Sequence, residues 1–511
     1  MIDKSFQIRF AIGVLVQLGP LGCIHDYELT EGEPGGRGGS EGLGGLGGSA
    51  GLGGNGGLGG SGGSGGSGGG GPRPDRCALE PGSTPGSAQW SYATGDEQAQ
   101  AIRDLVVDSK GSAIIVGDFR GSLDFGLGVM ESEGGFDQFV TKLDCTGSPQ
   151  LSMRFGSAVE QELFTRVAVA AGDDIVIAGE LIGSFDFGGG PISSADGDVF
   201  VVKLSPSGQL IWQRTFGGPG RQLARALAVD SSNRVLIAGY FQGTMTIGED
   251  ELSSVDADFD AFLLRLDPDG HPLEHRVFGS PSEEFVEAMA VSETGAIAIT
   301  GTIEDVDVGT SFGGPALVSA GGDDAFVAVF DDQLEHVWSA GFGGVDLQQG
   351  KRVVFQGDDL VVMARVAGTM DFGGGPLTPT TLGIALARFD AQGTHLVSKA
   401  FDHVAFAHGL AVFDNGDVAV GGESQGALDL GGPLWPSFGG QDLFFARLDQ
   451  ELEHVWSRAY GGTGDDQIFS LGIDPWGGVL LGGNFRQTVA FDGEMLESAG
   501  DADLLIARVA P

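Results

Sequence analysis

The stretch that decides the fold is residues 211–218, which read Ile-Trp-Gln-Arg-Thr-Phe-Gly-Gly. The pattern of an aromatic residue followed by Phe-Gly-Gly or a close variant returns around Trp338 and Trp456, with degenerate copies between them. Counted from the Trp position, the copies fall at residues 90, 151, 212, 274, 338, 397 and 456, which are 59 to 64 residues apart. Seven copies at a nearly fixed period indicate repeated units that close into one architecture.

Each copy contains four short apolar runs separated by turn residues. In the third copy the second run is Val-Leu-Ile-Ala-Gly at 235–239, and the third is Asp-Ala-Phe-Leu-Leu-Arg-Leu at 260–266. Runs of five to seven residues rich in β-branched and aromatic side chains favour strands over helices. Four such strands joined by Gly, Asp and Asn turns match a propeller blade. The sequence therefore predicts an all-β protein, with one seven-bladed β-propeller of four-stranded blades over residues 89–511.

The order of the strands predicts how the ring closes. The last apolar run, residues 504–509, corresponds to a third strand, and no outer strand follows it. An additional outer strand instead precedes the first copy, at residues 89–94. Pairing of this strand with the C-terminal run would complete the seventh blade and remove the open edges of the ring.

A secretory signal and a Gly-rich segment precede the repeats. Lys4 and Arg9 form a short basic start, and an apolar run follows at residues 10–18. The run is too short to cross a bilayer, and the two features together predict a signal peptide at residues 1–22. The run leads into Leu-Gly-Pro-Leu-Gly-Cys, which resembles the lipobox of bacterial lipoproteins and implies lipidation of Cys23; the alternative is an ordinary signal peptide cleaved nearby. Gly supplies 24 of the 37 residues from 35 to 71, so residues 23–88 are predicted to be a disordered linker.

The chain has three cysteines, Cys23, Cys77 and Cys145. If Cys23 carries lipid, two remain, an even number that suits an oxidising compartment. A disulfide between Cys77 and Cys145 would attach the incoming chain to the first blade. The alternative is two unpaired thiols.

The net charge of the chain limits the classes of partner that the protein is expected to bind. The chain holds 70 acidic and 27 basic residues, for a net charge of −43. Such a surface repels nucleic acid phosphates, which excludes DNA and RNA as expected partners. It also favours solubility and resistance to self-association, so a monomer is expected.

The repeats resemble those of bacterial β-propeller repeat proteins of the SBBP type, many of which are secreted proteins or lipoproteins in bacteria such as myxobacteria. The shared features are the Asp-x-Phe strand, the Asp-x-x-Gly turn and the Trp-x-x-x-Phe-Gly-Gly strand, over residues 89–511. The resemblance implies the propeller fold and an exported location, at the outer membrane or cell surface as a lipoprotein, or alternatively in the periplasm or the medium. It implies no reaction.

A cluster of acidic residues provides the one candidate site for a cofactor, a calcium ion. Asp256, Asp258 and Asp260 form an Asp-x-Asp-x-Asp segment that has the spacing of a calcium loop but lacks its Gly and distal Glu. Asp260 also recurs at the same repeat position in five other copies, as Asp137, Asp198, Asp324, Asp442 and Asp503. Recurrence favours a structural role, in which the carboxylate accepts backbone N–H groups at the start of the third strand. Calcium is the alternative, and no other cofactor is expected.

Two further sets of residues break the repeat. His403 and His408 lie close to Asp402, and are interpreted either as metal ligands or as loop histidines. Trp435 and Phe438 occupy a variable loop, where they predict either a contact surface or packing within the blade.

The leading functional hypothesis is a non-catalytic binding or scaffold module of the cell envelope, with a protein or glycan ligand and a lipid anchor in the membrane. The rival is an extracytoplasmic enzyme of the carbohydrate lyase or hydrolase type, and a third possibility is a passive spacer. Catalysis would require polar residues from different blades that depart from the repeat and converge on the channel. The sequence reveals no such set, and no catalytic residue is assigned.

Overall fold

The computed structural model describes residues 77–80, 82–156, 165–304 and 307–511. The predicted signal peptide, Cys23 and the linker up to residue 76 lie outside these residues. The described chain forms seven four-stranded antiparallel sheets and two single-turn 3₁₀ segments, Ala171–Asp173 and Val255–Ala257. No helix within it is long and apolar enough to cross a bilayer.

The strands follow one another in chain order from the N-terminal strand β1 (Ala88–Thr94). Blade 1 holds β2 (Gln100–Val107), β3 (Ala113–Phe119), β4 (Ser122–Leu123), β5 (Met130–Glu131), β6 (Asp137–Leu143) and β7 (Pro149–Phe155). Blade 2 holds β8 (Thr165–Ala170), β9 (Asp174–Phe185), β10 (Ile192–Leu204) and β11 (Leu210–Phe216). Blade 3 holds β12 (Gln222–Val229), β13 (Val235–Phe241), β14 (Thr244–Ile247), β15 (Asp250–Ser253), β16 (Asp260–Leu266) and β17 (Pro272–Phe278).

The remaining blades repeat the order without separate short hairpins. Blade 4 holds β18 (Glu284–Val291), β19 (Ile297–Ile303), β20 (Asp324–Phe330) and β21 (His336–Phe342). Blade 5 holds β22 (Gln348–Gln356), β23 (Asp359–Val366), β24 (Gly383–Phe389) and β25 (His395–Asp402). Blade 6 holds β26 (Val404–Val412), β27 (Val418–Ser424), β28 (Asp442–Leu448) and β29 (His454–Tyr460). Blade 7 holds β30 (Gln467–Ile473), β31 (Val479–Phe491) and β32 (Glu494–Val509), together with β1.

The seven sheets close into a ring, which confirms the predicted propeller. The first strand of each blade is its inner strand, and each inner strand lies beside those of the two flanking blades, with β2 against β30 closing the circle. The seventh blade is composite, because β1 pairs antiparallel with β32 from Ala88 opposite Val509 to Thr94 opposite Leu504. This is the arrangement that the order of strands in the sequence predicts.

The hydrophobic core lies between adjacent blades. The second and third strands of blade 3, β13 and β16, are buried along their whole length because both of their faces meet other sheets. One continuous cluster joins Leu236 and Leu263 of blade 3 to Ile299 and Phe326 of blade 4. Strands covered on both faces read as continuous rather than alternating apolar runs, as residues 235–239 do.

Asp-x-x-Gly turns connect the third strand to the outer strand in blades 1, 3 and 5. The Asp267 Oδ1 atom accepts the N–H groups of Asp269 and His271 at 2.9 and 2.8 Å, which fixes the turn locally. Gly270 has φ +81°, and a Cβ there would meet the indole of Trp212 from the preceding blade. The Trp212 indole donates to the Pro268 carbonyl of the same turn at 2.9 Å. Trp212 thus joins its own blade to the next one. Gly is required at residue 270 because the indole ring lies flat against the backbone there.

The segment before β1 belongs to the propeller in part. The predicted linker extends to residue 88, whereas the structure packs residues 77–80 and 82–88 against the blades. Cys77 and Cys145 form a disulfide with their Cα atoms 5.4 Å apart. The Cys77 carbonyl accepts Arg508 Nη2 at 2.8 Å, and the Gly86 N–H donates to Ala510 at 2.8 Å. The covalent bond and these hydrogen bonds attach this segment to blades 1 and 7.

Candidate binding site in the central channel

Polar and aromatic side chains of the inner strands form a continuous band around the axis of the propeller. We call this band the channel belt. All seven blades contribute to it, and its members are Arg103, Asp104, Arg166, Arg225, Glu287, Lys351, Arg352, His408, Phe469 and Ser470.

A β-bulge in the inner strand sets the position of the belt. The register of the inner and second strands shifts by one residue at Arg103, Arg225, Glu287, Lys351 and Phe469 in blades 1, 3, 4, 5 and 7. Blade 6 has an equivalent shift at His408. A bulge bends the strand and re-aims the side chain of the extra residue. The backbone feature therefore repeats from blade to blade, while the side chain it presents changes.

Contacts within the belt link blades 1 to 5 in sequence. The Asp104 Oδ2 atom accepts the Val167 N–H of blade 2 at 3.1 Å. Arg166 Nε donates to the Arg225 carbonyl of blade 3 at 2.8 Å. Arg225 pairs with Glu287 of blade 4 at 2.7 Å, and the other oxygen of Glu287 lies 3.8 Å from Lys351 Nζ of blade 5.

The circuit continues through blades 5 to 7 and back to blade 1. Arg352 Nε donates to the His408 carbonyl of blade 6 at 2.5 Å. The His408 ring stacks on Phe469 of blade 7, with 5.5 Å between centroids. Ser470 Oγ donates to Asp104 Oδ1 at 3.0 Å, which returns the circuit to blade 1. Neighbouring inner strands are thus joined through belt residues at every step of the ring.

Arg166 occupies an unfavourable electrostatic position in the belt. Burial and the positive charges of Arg225 and Arg352 together lower the pKa of its guanidinium to about 10, although Asp104 and Glu287 oppose the shift. Within the described ranges, the hydrogen bonds of Arg166 go to main-chain carbonyls of Arg225, Arg103 and Thr165, and none goes to a carboxylate. A partly buried cation surrounded by like charge is the arrangement that an incoming anion stabilises.

One arc of the belt is aromatic. Phe406 and His408 are two residues apart on the inner strand of blade 6, and their rings are nearly parallel at 5.7 Å. The guanidinium of Arg365 lies over the Phe406 ring at 3.9 Å. Phe406, His408 and Phe469 are each half-buried. This side of the channel therefore offers flat apolar surface opposite the cations of blades 1 to 3.

The structure separates the three aspartates of the candidate calcium loop. Asp256 is exposed, whereas Asp260 is buried beneath Gly279, where a Cβ would overlap its carboxylate. The Asp260 Oδ2 atom accepts the Val255 N–H at 3.0 Å, and burial raises the pKa of Asp260 to about 6. Nowhere in the described chain are three or more His, Cys, Asp or Glu side chains placed to share a metal ion.

The equivalent aspartates make a similar contact in other blades. Each accepts the backbone N–H of the residue four positions earlier, at 2.6 to 3.1 Å; they are Asp137, Asp324, Asp442 and Asp503. Burial raises the pKa of each of these carboxyls. Carboxylates held in this way mark the start of the third strand in these blades.

The other repeat-breaking residues have separate positions. Trp435 packs against its own blade, and its indole donates to Ser457 Oγ at 2.9 Å. Phe438 remains 45% exposed, so only this member of the predicted contact pair presents its ring to solvent. His403 adopts φ +61° at the junction of blades 5 and 6, whereas His408 belongs to the channel belt. The structure therefore assigns the two histidines to different environments.

The channel belt is the feature that sequence reasoning missed. Its signal is present in the inner strands, where Arg103, Arg225, Glu287, Lys351 and Phe469 occupy one repeat position with different chemistry. Each looks like an isolated variation within its own repeat. Only the alignment of bulge positions shows that the variation falls at one place.

Comparison with known proteins does not assign the chain to a family. No protein-family model matches the chain. The regulatory protein FlaEY of Caulobacter vibrioides is 22% identical over 464 residues, which cover 82% of this chain and 48% of that protein. The chain thus spans about half the length of this curated relative.

Several solved structures are also similar to the chain. The WD40 β-propeller domain of Doa1 has 11% identity and a TM-score of 0.40, covering 82% of this chain and 97% of that one. YCF48 bound to D1 peptide has 10% identity and a TM-score of 0.37, covering 86% and 99%. XC5397 from Xanthomonas campestris, a gluconolactonase, has 10% identity and a TM-score of 0.32, covering 85% and 100%. None of these likenesses carries a ligand or a reaction over to this chain.

Proposed function

We propose that this propeller is a non-catalytic binding module of the cell envelope and that the channel belt is its ligand site. The observation that carries the proposal is the convergence of belt side chains from all seven blades; in six of them the inner strand has a bulge whose residue type varies from blade to blade. The fold needs the bulge but does not need different charges at each one. Different side chains on a common backbone position are typical of a site grafted onto a scaffold.

Binding fits the belt better than catalysis because its carboxylates are already engaged. Asp104 accepts hydrogen bonds from Val167 and Ser470, and Glu287 lies between Arg225 and Lys351. A general acid or base must instead be free to exchange a proton with substrate. The belt is rich in fixed donors and aromatic surface, which are features of recognition.

We further propose that the module is displayed on the outer membrane or cell surface through lipid at Cys23. The apolar run at 10–18, the following Leu-Gly-Cys and the Gly-rich segment support this location. Labelling of cells with radioactive palmitate tests it, and we expect label on the wild type and none on Cys23→Ala. Equal labelling of both chains would overturn the lipid anchor.

A binding role for the belt is tested with the purified full chain on protein and glycan arrays. The belt variant is Arg352→Gln, and the matched control is Arg276→Gln, which removes an exposed arginine paired with Glu335 on the outer side of blade 3. We expect the wild type and the control to bind the same array member and the belt variant to lose it. Equal binding by all three would place the ligand site elsewhere on the propeller.

A further inference from the structure

The charge of the belt is opposite to that of the rest of the chain. The belt holds five basic side chains, Arg103, Arg166, Arg225, Lys351 and Arg352, and two carboxylates, Asp104 and Glu287. Arg103 is also paired with Asp118 of β3 at 2.6 Å, which leaves the belt with a net positive charge. The whole chain has 70 acidic and 27 basic residues. A basic interior within an acidic protein repels large polyanions at the surface and attracts an anion small enough to enter the channel.

From this arrangement we infer that the belt binds a small organic anion, with its carboxylate or phosphate at Arg166 and Arg352 and its apolar part against His408 and Phe469. This inference rests on the proposed function, because it names the ligand class of the same site.

Arg166 is the residue that identifies the position of the anion. Glu287 lies with one oxygen at Arg225 and the other towards Lys351, so that carboxylate is shared by two cations of blades 3 and 5. Asp104 is held by groups of blades 2 and 7. Arg166 lies between these two acids and, among the described residues, meets only carbonyl oxygens. A bound anion would supply the charge-assisted hydrogen bonds that carbonyls do not.

Arg352 extends the same positive region from another blade. It lies opposite Met363 on the inner strand of blade 5, the register that Arg166 has opposite Ala178 in blade 2, so the two guanidiniums start from the same level of the ring. The lowered pKa of Arg166 is consistent with the nearby charge of Arg352. Arg352 is held by the His408 and Lys351 carbonyls at 2.5 and 2.7 Å. Two guanidiniums positioned by backbone contacts form a preorganised receptor, which loses little entropy on binding.

The aromatic arc indicates the chemistry of the uncharged part of the ligand. Arg352 contacts the backbone of His408, whose ring stacks on Phe469, so the cationic and aromatic regions are adjacent. An ion such as acetate or inorganic phosphate would use only the first region. An aromatic carboxylate such as benzoate would use both, because its ring can stack where its charge is neutralised.

The test is titration calorimetry at pH 7 with the full chain and four probes: benzoate, benzamide, acetate and inorganic phosphate. Benzamide has the shape of benzoate without its charge. We expect benzoate to bind about tenfold or more tightly than either benzamide or acetate, since each lacks one of the two contacts. Equal affinity of benzoate and benzamide would overturn the anion site, and equal affinity of benzoate and acetate would overturn the role of the aromatic arc.

Variants assign the site to residues. Arg166→Gln is expected to weaken benzoate about tenfold or more, and Phe469→Leu is expected to weaken benzoate but not acetate. The control Arg276→Gln should bind as the wild type does. Binding of benzoate by Arg166→Gln at wild-type affinity would refute the assignment.

The melting temperature of Arg166→Gln without ligand separates recognition from a structural role. Loss of the hydrogen bond to the Arg225 carbonyl should lower the melting temperature, and relief of repulsion from Arg225 and Arg352 should raise it, so a small net change is expected. A marked decrease would assign Arg166 to stability instead. If no anion binds but the array ligand is still lost in Arg352→Gln, the ligand class is wrong and the proposed binding function stands.

Discussion

The outer part of each blade and the channel belt follow opposite rules. In the outer part, the same residue types recur because each makes the same contact, as Trp212 does on Gly270 and Asp260 does beneath Gly279. In the belt, one bulge position holds Arg225 in blade 3 and Glu287 in blade 4. Repetition therefore marks residues that build the ring, and departure from repetition marks residues that the ring presents. The following changes test this contrast, from the largest expected effect to the smallest.

Two phenylalanines from the two regions should behave differently. Phe262 is in the core between blades and is 1% exposed, whereas Phe469 lies half-buried in the belt. Phe262→Ala is expected to lower the free energy of unfolding by about 4 kcal/mol, because it leaves a cavity in a packed core. Phe469→Ala should lower the free energy of unfolding far less, and urea denaturation of both variants measures the difference. Equal losses would show that the belt is also part of the core.

Loss of the disulfide should weaken the closure of the ring. Cys77 and Cys145 are 68 residues apart in sequence, so their bond restricts a long loop of the unfolded chain. Cys145→Ser is expected to lower the free energy of unfolding by about 3 kcal/mol. The control is wild type under reducing conditions, which should be destabilised by the same amount, while Cys145→Ser should not respond to reductant. Insensitivity of the wild type to reductant would contradict the prediction.

Acidification should stabilise the propeller between pH 7 and pH 5. Burial raises the pKa of Glu284 to about 7, although hydrogen bonds from Ser280 and Thr310 oppose the shift. Because the folded state binds this proton more tightly than the unfolded state, stability is greatest below the unfolded pKa and is lost as pH rises towards 7.

For Glu284 alone the change amounts to about 2 kcal/mol between pH 5 and pH 7. Burial also raises the pKa of Asp466 to about 7, which adds an effect of the same sign. Glu284→Gln should therefore flatten the pH dependence of the free energy of unfolding, and the exposed control Glu494→Gln should not. A wild-type slope in Glu284→Gln would disprove the assignment.

The smallest expected effect on stability distinguishes side-chain packing from backbone strain at two glycines, Gly270 and Gly190. Gly270 and Gly190 both have positive φ, +81° and +95°, but only Gly270 lies under an indole ring. Alanine at either site strains the backbone, and at Gly270 it must also displace Trp212. Gly270→Ala is expected to cost about 1 kcal/mol more than Gly190→Ala in thermal unfolding. Equal costs would mean that Trp212 moves freely.

Much of the fold could be predicted because its causes are local. The turn at 267–270 is specified by an Asp that caps its own backbone and by a Gly that accepts positive φ. The missing outer strand after residue 509 required a partner at the other end of the chain, which β1 provides. The structural role of Asp260 also followed from its recurrence. The site was not predictable in this way, because Arg103 and Arg166 are ordinary variations within separate repeats.

The sequence by itself determined the number of blades, the order of their strands and the composite seventh blade. The reason is that the same turn and strand residues recur in each repeat and make the same local contacts each time. Only the tertiary structure decided which varied residues meet. Arg166 and Arg352 are 186 residues apart in the chain, and they form one site because ring closure brings all inner strands to a common axis. In six of the blades a bulge also bends the inner strand at the level of the belt, so a residue there that departs from the repeat becomes part of the belt.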